Sequence, residues 1–400
     1  MDFAVSREDQ EFREQLRAFL KREIPADWPM VNEYDAHLSD EGDRIWKFVL
    51  GMRKKLADTG WLTMAWPREY GGQGASPMRQ TIYAEEMTYC RAPGHDIQGI
   101  HMVGPMLMTY GTNDQRKKYL GRIARGDIVW CQGFSEPNAG SDLAALETRA
   151  FPDRDEYVIN GRKIWTSWAH RADFCHLLAR TGTPESRHKG ISYFLVDMKS
   201  PGITAKPIYN LTGRSHFCQV TFEDVRVPLE NMIGQKNRGW YVAQATLSYE
   251  RSGIRPITEG RRVLDDLVEL VKAGFLSMNE NSRAVMRHKL ANAEIELSTA
   301  RLLSYRVAYL QTRGILPTFE VSISKILGTE ALQRVVNTGM EILGLYAPLK
   351  PESKYVKLYG WIERLYQMSL CATIAGGSSQ VQRNIIASRG LGLPHDKVTA

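Results

Sequence analysis

The chain is poor in cysteine. Its five residues of that type, Cys90, Cys131, Cys175, Cys218 and Cys371, stand far apart. No CxxC pair links them, so a disulfide framework is not expected, and free thiols in a reducing compartment are. The nine histidines are scattered, with no HExxH and no Cys/His cluster, which argues against metal chemistry. No GxGxxG opens a helix after a strand and no P-loop occurs, so nicotinamide and nucleoside triphosphate binding lack support. No apolar run approaches the ~18 residues of a membrane span. Met1-Asp2-Phe3-Ala4-Val5 runs into charged residues rather than a signal peptide, so a cytoplasmic location is expected. Neither an internal repeat nor a low-complexity tract interrupts the chain.

What is present fits a soluble globular protein of two or three domains. Apolar residues make up 43% and charged residues 24% of the 400 positions. The net charge of +7 suits a polyanionic ligand, but a mildly basic solvated surface explains it as well. Lys and Arg are dispersed rather than gathered on one face, so nucleic acid is not an expected partner.

Patterning predicts helices, then a β-domain, then a helical bundle. Ser6 with Asp9 reads as a helix start, and Phe12, Leu16, Phe19 and Leu20 then fall on one face. Breaks are expected at Pro29, at Gly71-Gly72-Gln73-Gly74 and at Gly104-Pro105. From about 128 the texture turns to strands: Tyr157-Val158-Ile159, Ile191 to Val196, and Val220-Thr221-Phe222. Asn160-Gly161 reads as a two-residue hairpin turn. Long helices are expected at roughly 283–313, with Leu290, Ile295, Leu297, Leu302 and Leu310 apolar, and at 318–343, with a last helix after Ser378. The expected fold is mainly α with a central β-domain: an N-terminal helical domain at 1–127, a sandwich- or barrel-like β-domain at 128–235, and a four-helix bundle at 236–400.

Two stretches carry chemistry. Gln132-Gly133-Phe134-Ser135-Glu136-Pro137-Asn138-Ala139-Gly140-Ser141-Asp142 is a polar, Gly-punctuated loop. Lys163-Ile164-Trp165-Thr166-Ser167 puts an indole beside two hydroxyls. Together they offer an apolar wall, hydroxyl and backbone donors, and a turn open to phosphate, which is what a flavin needs. Three more motifs stand in order around them: Gly60-Trp61 to Gly74, Phe222-Glu223-Asp224-Val225-Arg226-Val227-Pro228, and Gly376-Gly377-Ser378-Ser379-Gln380-Val381-Gln382-Arg383-Asn384. Nearly end to end, the chain resembles the acyl-CoA dehydrogenases.

The resemblance implies FAD, an acyl-CoA substrate oxidised to a trans-2-enoyl-CoA in lipid β-oxidation, and electron transfer to an electron-transfer flavoprotein. It implies flavin contacts at Gln132, Ser135, Gly140, Ser141, Trp165 and Ser167, with Ser378 and Gln380 as weaker candidates. Ser141 and Arg251 would touch substrate. Many members carry a catalytic Glu in the closing signature, where Gly376 stands here; others carry it on a helix shortly after the β-domain, a pattern that Ser248-Tyr249-Glu250-Arg251 matches. The resemblance therefore implies Glu250 as the base and the Gly376 N–H, in the place of the family's backbone donor, as the partner of the thioester oxygen. In homotetrameric members a neighbouring subunit holds the FAD pyrophosphate through an Arg-x-x-Phe-Gly element and a Gln-x-x-Gly-Gly element. Here those places read Phe275-Leu276-Ser277-Met278-Asn279 and Met340-Glu341-Ile342-Leu343-Gly344-Leu345. Both look lost, which leaves a homotetramer with other phosphate contacts, or a heterotetramer with a paralogous subunit as in bacterial steroid-CoA dehydrogenases. Non-catalytic half-site subunits and same-fold flavin oxidases or monooxygenases are the alternatives.

Overall fold

A computed structural model describes residues 5–28, 33–36, 39–246, 253–275 and 280–394. Helices α1 (Arg7–Glu23), α2 (Asp40–Asp58), α3 (Pro77–Tyr89), α4 (Gly104–Tyr110) and α5 (Asn113–Ala124) come first. Eight strands follow: β1 (Trp130–Gly133), β2 (Arg149–Asp153), β3 (Glu156–Ser167), β4 (Phe174–Arg180), β5 (Ile191–Asp197), β6 (Ile203–Ile208), β7 (Phe217–Pro228) and β8 (Met232–Ile233). Helices α6 (Gly239–Thr246), α7 (Ile254–Lys272), α8 (Glu280–Thr312), α9 (Glu320–Leu343), α10 (Trp361–Ala372) and α11 (Ser379–Ile385) close the chain. The chain folds as two compact units. One holds residues 1–32, 76–92 and 251–400; the other holds 33–75 and 93–250.

The first unit is helical. The Ser6 hydroxyl accepts the Asp9 N–H at 3.1 Å and so starts α1, and Phe12, Leu16, Phe19 and Leu20 are buried. Ile257, Leu267, Leu297, Val335, Ile342 and Leu365 meet in the core of α7 to α10. Each such side chain contributes about 1.5–3 kcal/mol by leaving water. Of the stripe expected on α8, Leu290 and Leu297 are buried but Ile295 and Leu302 are exposed. A charged network joins α1, α3 and α8. Arg13 donates to Glu85 at 2.8 Å and to Glu86, and also to the Tyr305 hydroxyl at 2.8 Å, which itself donates to Glu85 at 2.7 Å. Arg17 and Arg301 complete it. Burial penalises the Glu85 carboxylate, but the Arg301 and Arg13 guanidiniums outweigh that and hold its pKa below the usual value. Burial pushes the Tyr305 phenol up to about 12.

The second unit is built on one sheet, in the order β6-β7-β3-β2-β4-β5-β8, with β1 added in parallel to β4. Cys131, Ile159, Cys175, Leu177, Phe194, Val220 and Val225 fill its core. All five cysteines are free thiols. Two expectations are corrected. Asn160-Gly161 is not a hairpin turn: β3 runs straight through it. The true turn is Arg154-Asp155, which joins β2 to β3, with Arg154 at φ +57°. Asn160 instead sits at a bulge, where it exchanges hydrogen bonds of 2.8 Å with Asp224 on β7. Glycine follows because a Cβ at 161 would lie 2.5 Å from the Thr148 hydroxyl. Likewise Gly104-Pro105 does not break a helix. It starts α4 directly after a π-helical turn, Ile97–Val103, with Pro105 in the first turn, where its missing N–H costs nothing. Gly104 is needed there for close approach, since a Cβ would meet the Trp66 ring at 2.1 Å.

Candidate functional site

In the second unit, one buried lysine organises the polar loop and the indole. Lys163 on β3 is fully buried, and its ammonium donates to the Phe134 carbonyl at 3.0 Å and to the Glu136 carboxylate at 2.8 Å. Glu136 also accepts the N–H groups of Glu147, at 2.6 Å, and Thr148, at 2.9 Å. Burial lowers the lysine's pKa, partly countered by Glu136. Burial works against the Glu136 carboxylate too, but the Lys163 ammonium outweighs it and its pKa falls. The next residue adds a third stitch, Ile164 N–H to Ser135 carbonyl at 3.0 Å. Ser135 is thereby fixed beside the segment that carries Trp165.

Trp165 is displayed by a second bulge. Lys163 pairs with Val220 and Thr166 with Cys218, so Ile164 and Trp165 together oppose Gln219 alone. Trp165 takes φ +59°, a strained conformation for an aromatic residue, and its side chain is 56% exposed with Phe217 edge-on at 6.1 Å. Ser167 ends the same strand, half-buried. Before this, Glu136 and Ala139 bond to each other in a tight turn, and Gly140 and Ser141 follow, both exposed. Asp142 is held by Arg187 at 2.7 and 2.8 Å. The buried Arg180 guanidinium donates to the carbonyls of Ala144, Leu146, Thr183 and Arg187, tying down both flanking loops. A cleft of about 470 Å³ opens nearby, lined by Glu136, Asn138, Glu147 and Arg162 among others, and includes none of the residues expected to meet a flavin.

Gln132 lies on β1, half-buried, with its amide against the Met102 sulfur at 3.4 Å. Its neighbour on β4 is His176, which is buried, bonded to Tyr193 at 2.7 Å and Gln98 at 2.9 Å, and packed edge-on against Phe134. Burial drives the His176 pKa down to about 3. Unfolded, the ring titrates near 6.5, so the unfolded chain binds the extra proton between those values and stability falls as pH falls through that window. Chemical denaturation at pH 7.5 and 5.5 is expected to show His176→Gln losing about 1.4 kcal/mol less than the parent over that interval.

The first unit holds the closing signature. Gly376 and Gly377 take φ +64° and +89°, and Gly376 is exposed. Ser378 caps α11, its hydroxyl accepting the Val381 N–H at 3.3 Å, and Gln380 is exposed. Glu250 and Arg251 lie outside the described residues.

Three domain families match in order. They are the acyl-CoA dehydrogenase N-terminal domain over residues 6–127, the middle domain over 131–225 and the C-terminal domain over 237–391. The acyl-CoA dehydrogenase IpdE1 of Mycobacterium tuberculosis is 34% identical, over 97% of this chain and 98% of its own length. The chain belongs to the acyl-CoA dehydrogenases. FadE26 of the same organism is 36% identical over 85% of this chain and 86% of its length. Among solved structures, the Tcur3481-Tcur3483 steroid ACAD superposes with a TM-score of 0.89 at 33% identity, covering 99% of this chain and all of that one. The ChsE4-ChsE5 complex from Mycobacterium tuberculosis gives 0.85 at 33% identity, over 99% and 100%. Among the described residues, no helix is long and apolar enough to cross a membrane.

This acyl-CoA dehydrogenase is an FAD-dependent oxidoreductase acting on acyl-CoA. Its residues fit the cofactor. A large indole on a strained bulge is more than half exposed, its neighbour Ile164 is bonded to Ser135, and Ser167 lies two residues on. Sequence reading found the indole and the hydroxyls. It missed Lys163 and Glu136, although both lie inside the motifs quoted, because nothing local says that a lysine and a glutamate 27 residues apart are buried together.

Proposed function

We propose that this acyl-CoA dehydrogenase oxidises a bulky, branched or steroid-side-chain acyl-CoA to its trans-2-enoyl-CoA. The observation that carries the reading is the bulge that holds Trp165 exposed beside Ser135. The bulky substrate is supported by a structural relative described as a steroid ACAD. When bound, FAD supplies the two-electron acceptor for the hydride that leaves the β-carbon. The protein supplies the rest. Glu250 takes the α-proton onto a carboxylate oxygen, and the α-carbon–hydrogen electron pair becomes the new double bond as the hydride departs. The Gly376 N–H holds the thioester oxygen as negative charge gathers there. Trp165 walls one ring face, Gln132, Ser135 and Ser167 meet its polar edge, and Gly140 and Ser141 approach phosphate, with Ser378 and Gln380 as further contacts. Ser141 and Arg251 bind substrate. An electron-transfer flavoprotein takes the electrons onward.

The same reading makes this chain the base-bearing subunit of a heterotetramer with a paralogue. Where the family's Gln-x-x-Gly-Gly element would end in glycine, Leu345 stands 93% exposed. Glu341 replaces the glutamine, carries charge of the wrong sign for a pyrophosphate, and is paired with Lys289. A structural relative described as a two-protein complex agrees. The test is purification with and without the paralogue, scoring flavin per chain and anaerobic bleaching by a panel of thioesters. About one flavin for every two chains, and only with the paralogue, is expected. One flavin per protomer in the chain alone would sink the heteromer.

A further inference from the structure

The Gly376-Gly377 turn has more conformational freedom than any other pair of residues could, and a loose turn makes a poor oxyanion donor. The structure restrains it through both carbonyls. Gln382 on α11 donates its amide N–H to the Gly376 carbonyl at 3.2 Å, and Lys325, in the second turn of α9, donates its ammonium to the Gly377 carbonyl at 2.8 Å. The flanks are tied as well. Ser379 N–H reaches the Thr373 carbonyl at 2.9 Å, Arg383 pairs with Glu330 on α9 at 2.8 Å, and Gln333 on α9 bonds the Ser369 carbonyl at 2.9 Å. Neither the Gly376 nor the Gly377 N–H donates to a partner among the described residues. Both residues have positive φ, a conformation that glycine adopts without strain.

Of the restraints on the turn itself, the lysine is the strong one. Its bond is charge-assisted, and charge-assisted bonds are roughly twice as strong as the neutral amide bond from Gln382. It comes from a different helix, so it fixes the turn against the bundle and not merely against the segment that follows it. Burial lowers the lysine's pKa, with the Glu330 carboxylate opposing.

We propose that Lys325 is a positioning residue for the dehydrogenation. By clamping the Gly377 carbonyl to α9, it holds the Gly376 N–H where it polarises the thioester carbonyl. This rests on the assignment of Gly376 as the carbonyl donor. Lys325 acts through the turn and touches neither substrate nor cofactor.

The test reads carbonyl polarisation directly. A 3-(4-dimethylaminophenyl)acryloyl-CoA probe has an absorption band that moves to longer wavelength when its thioester oxygen accepts strong hydrogen bonds. It is added to the purified flavin-loaded protein, with its paralogue if one is required, for the parent and for Lys325→Met and Lys325→Gln. The parent is expected to shift the band to the red. Either variant with parental flavin content is expected to show less than half that shift and a kcat lower by about tenfold, with KM within about twofold. Lys325→Arg, which keeps the charge, is expected to restore part of both. A full red shift in a flavin-replete Met or Gln variant overturns the proposal, as does loss of folding in both, which would make the lysine structural only. A parent that binds the probe without any shift overturns the Gly376 assignment itself and, with it, this proposal.

Discussion

Replacing Glu250 by glutamine is expected to slow anaerobic flavin bleaching by acyl-CoA about a thousandfold, with flavin content unchanged. The α-proton of a thioester is weakly acidic, and a positioned carboxylate base supplies a factor of roughly 10²–10⁴ that an isosteric amide does not. No other acid in the closing region can replace it. Gly376 has no side chain, and no Asp or Glu occurs between Glu363 and Asp396. Glu363 is already engaged by Lys350 at 2.7 Å and by Gln367. Stopped-flow reduction of the flavin separates this outcome from a binding defect, because glutamine preserves shape and hydrogen-bonding reach. A Glu250→Gln protein that bleaches at the parental rate would move this chain to a non-catalytic subunit.

The second large effect belongs to Lys163. Changing it to methionine strands the Glu136 carboxylate in the protein interior, and breaking a buried pair from one side costs about 3–5 kcal/mol. The loss is expected as a lower urea midpoint together with reduced flavin content, since the same lysine holds the Phe134 carbonyl. Adding Glu136→Gln to Lys163→Met removes the stranded charge and keeps one oxygen, enough for one of the Glu147 and Thr148 N–H groups that the two carboxylate oxygens accept separately. The double variant is expected to regain more than half of the lost stability. If it is no better than Lys163→Met alone, charge burial is not the source of the loss.

The helices were legible because their signals are local. Ser6, Phe12, Leu16 and Leu20 are read within about four turns, and the ends of α8 and α9 fall within three residues of expectation. The sheet was less so. β4 carries Cys175, His176 and Arg180, polar groups whose burial depends on partners far away, and β6 contains Pro207, so neither reads as a strand. Asn160-Gly161 has hairpin chemistry, but the chain uses it for a bulge, because the register across to β7 outweighs the local preference. At the site, the indole and the serines announce themselves by type and order. The groups that position them, Lys163 for the loop and Lys325 for the Gly-Gly turn, become visible only when residues 27 and 52 apart in sequence are seen hydrogen-bonded.

The discontinuity of the first unit bears on synthesis. Its helices α1 and α3 bring Arg13, Glu85 and Glu86 out of the ribosome early, yet Arg301, which completes their pairing, emerges 216 residues after Glu85. At translation rates of about 5–20 residues per second, Glu85 waits roughly ten to forty seconds for this second guanidinium. The sheet-bearing unit, whose last segment ends at residue 250, has all its parts in hand sooner. A nascent chain halted near residue 285 should therefore present a protease-resistant β-domain flanked by amino-terminal helices that are still cleavable.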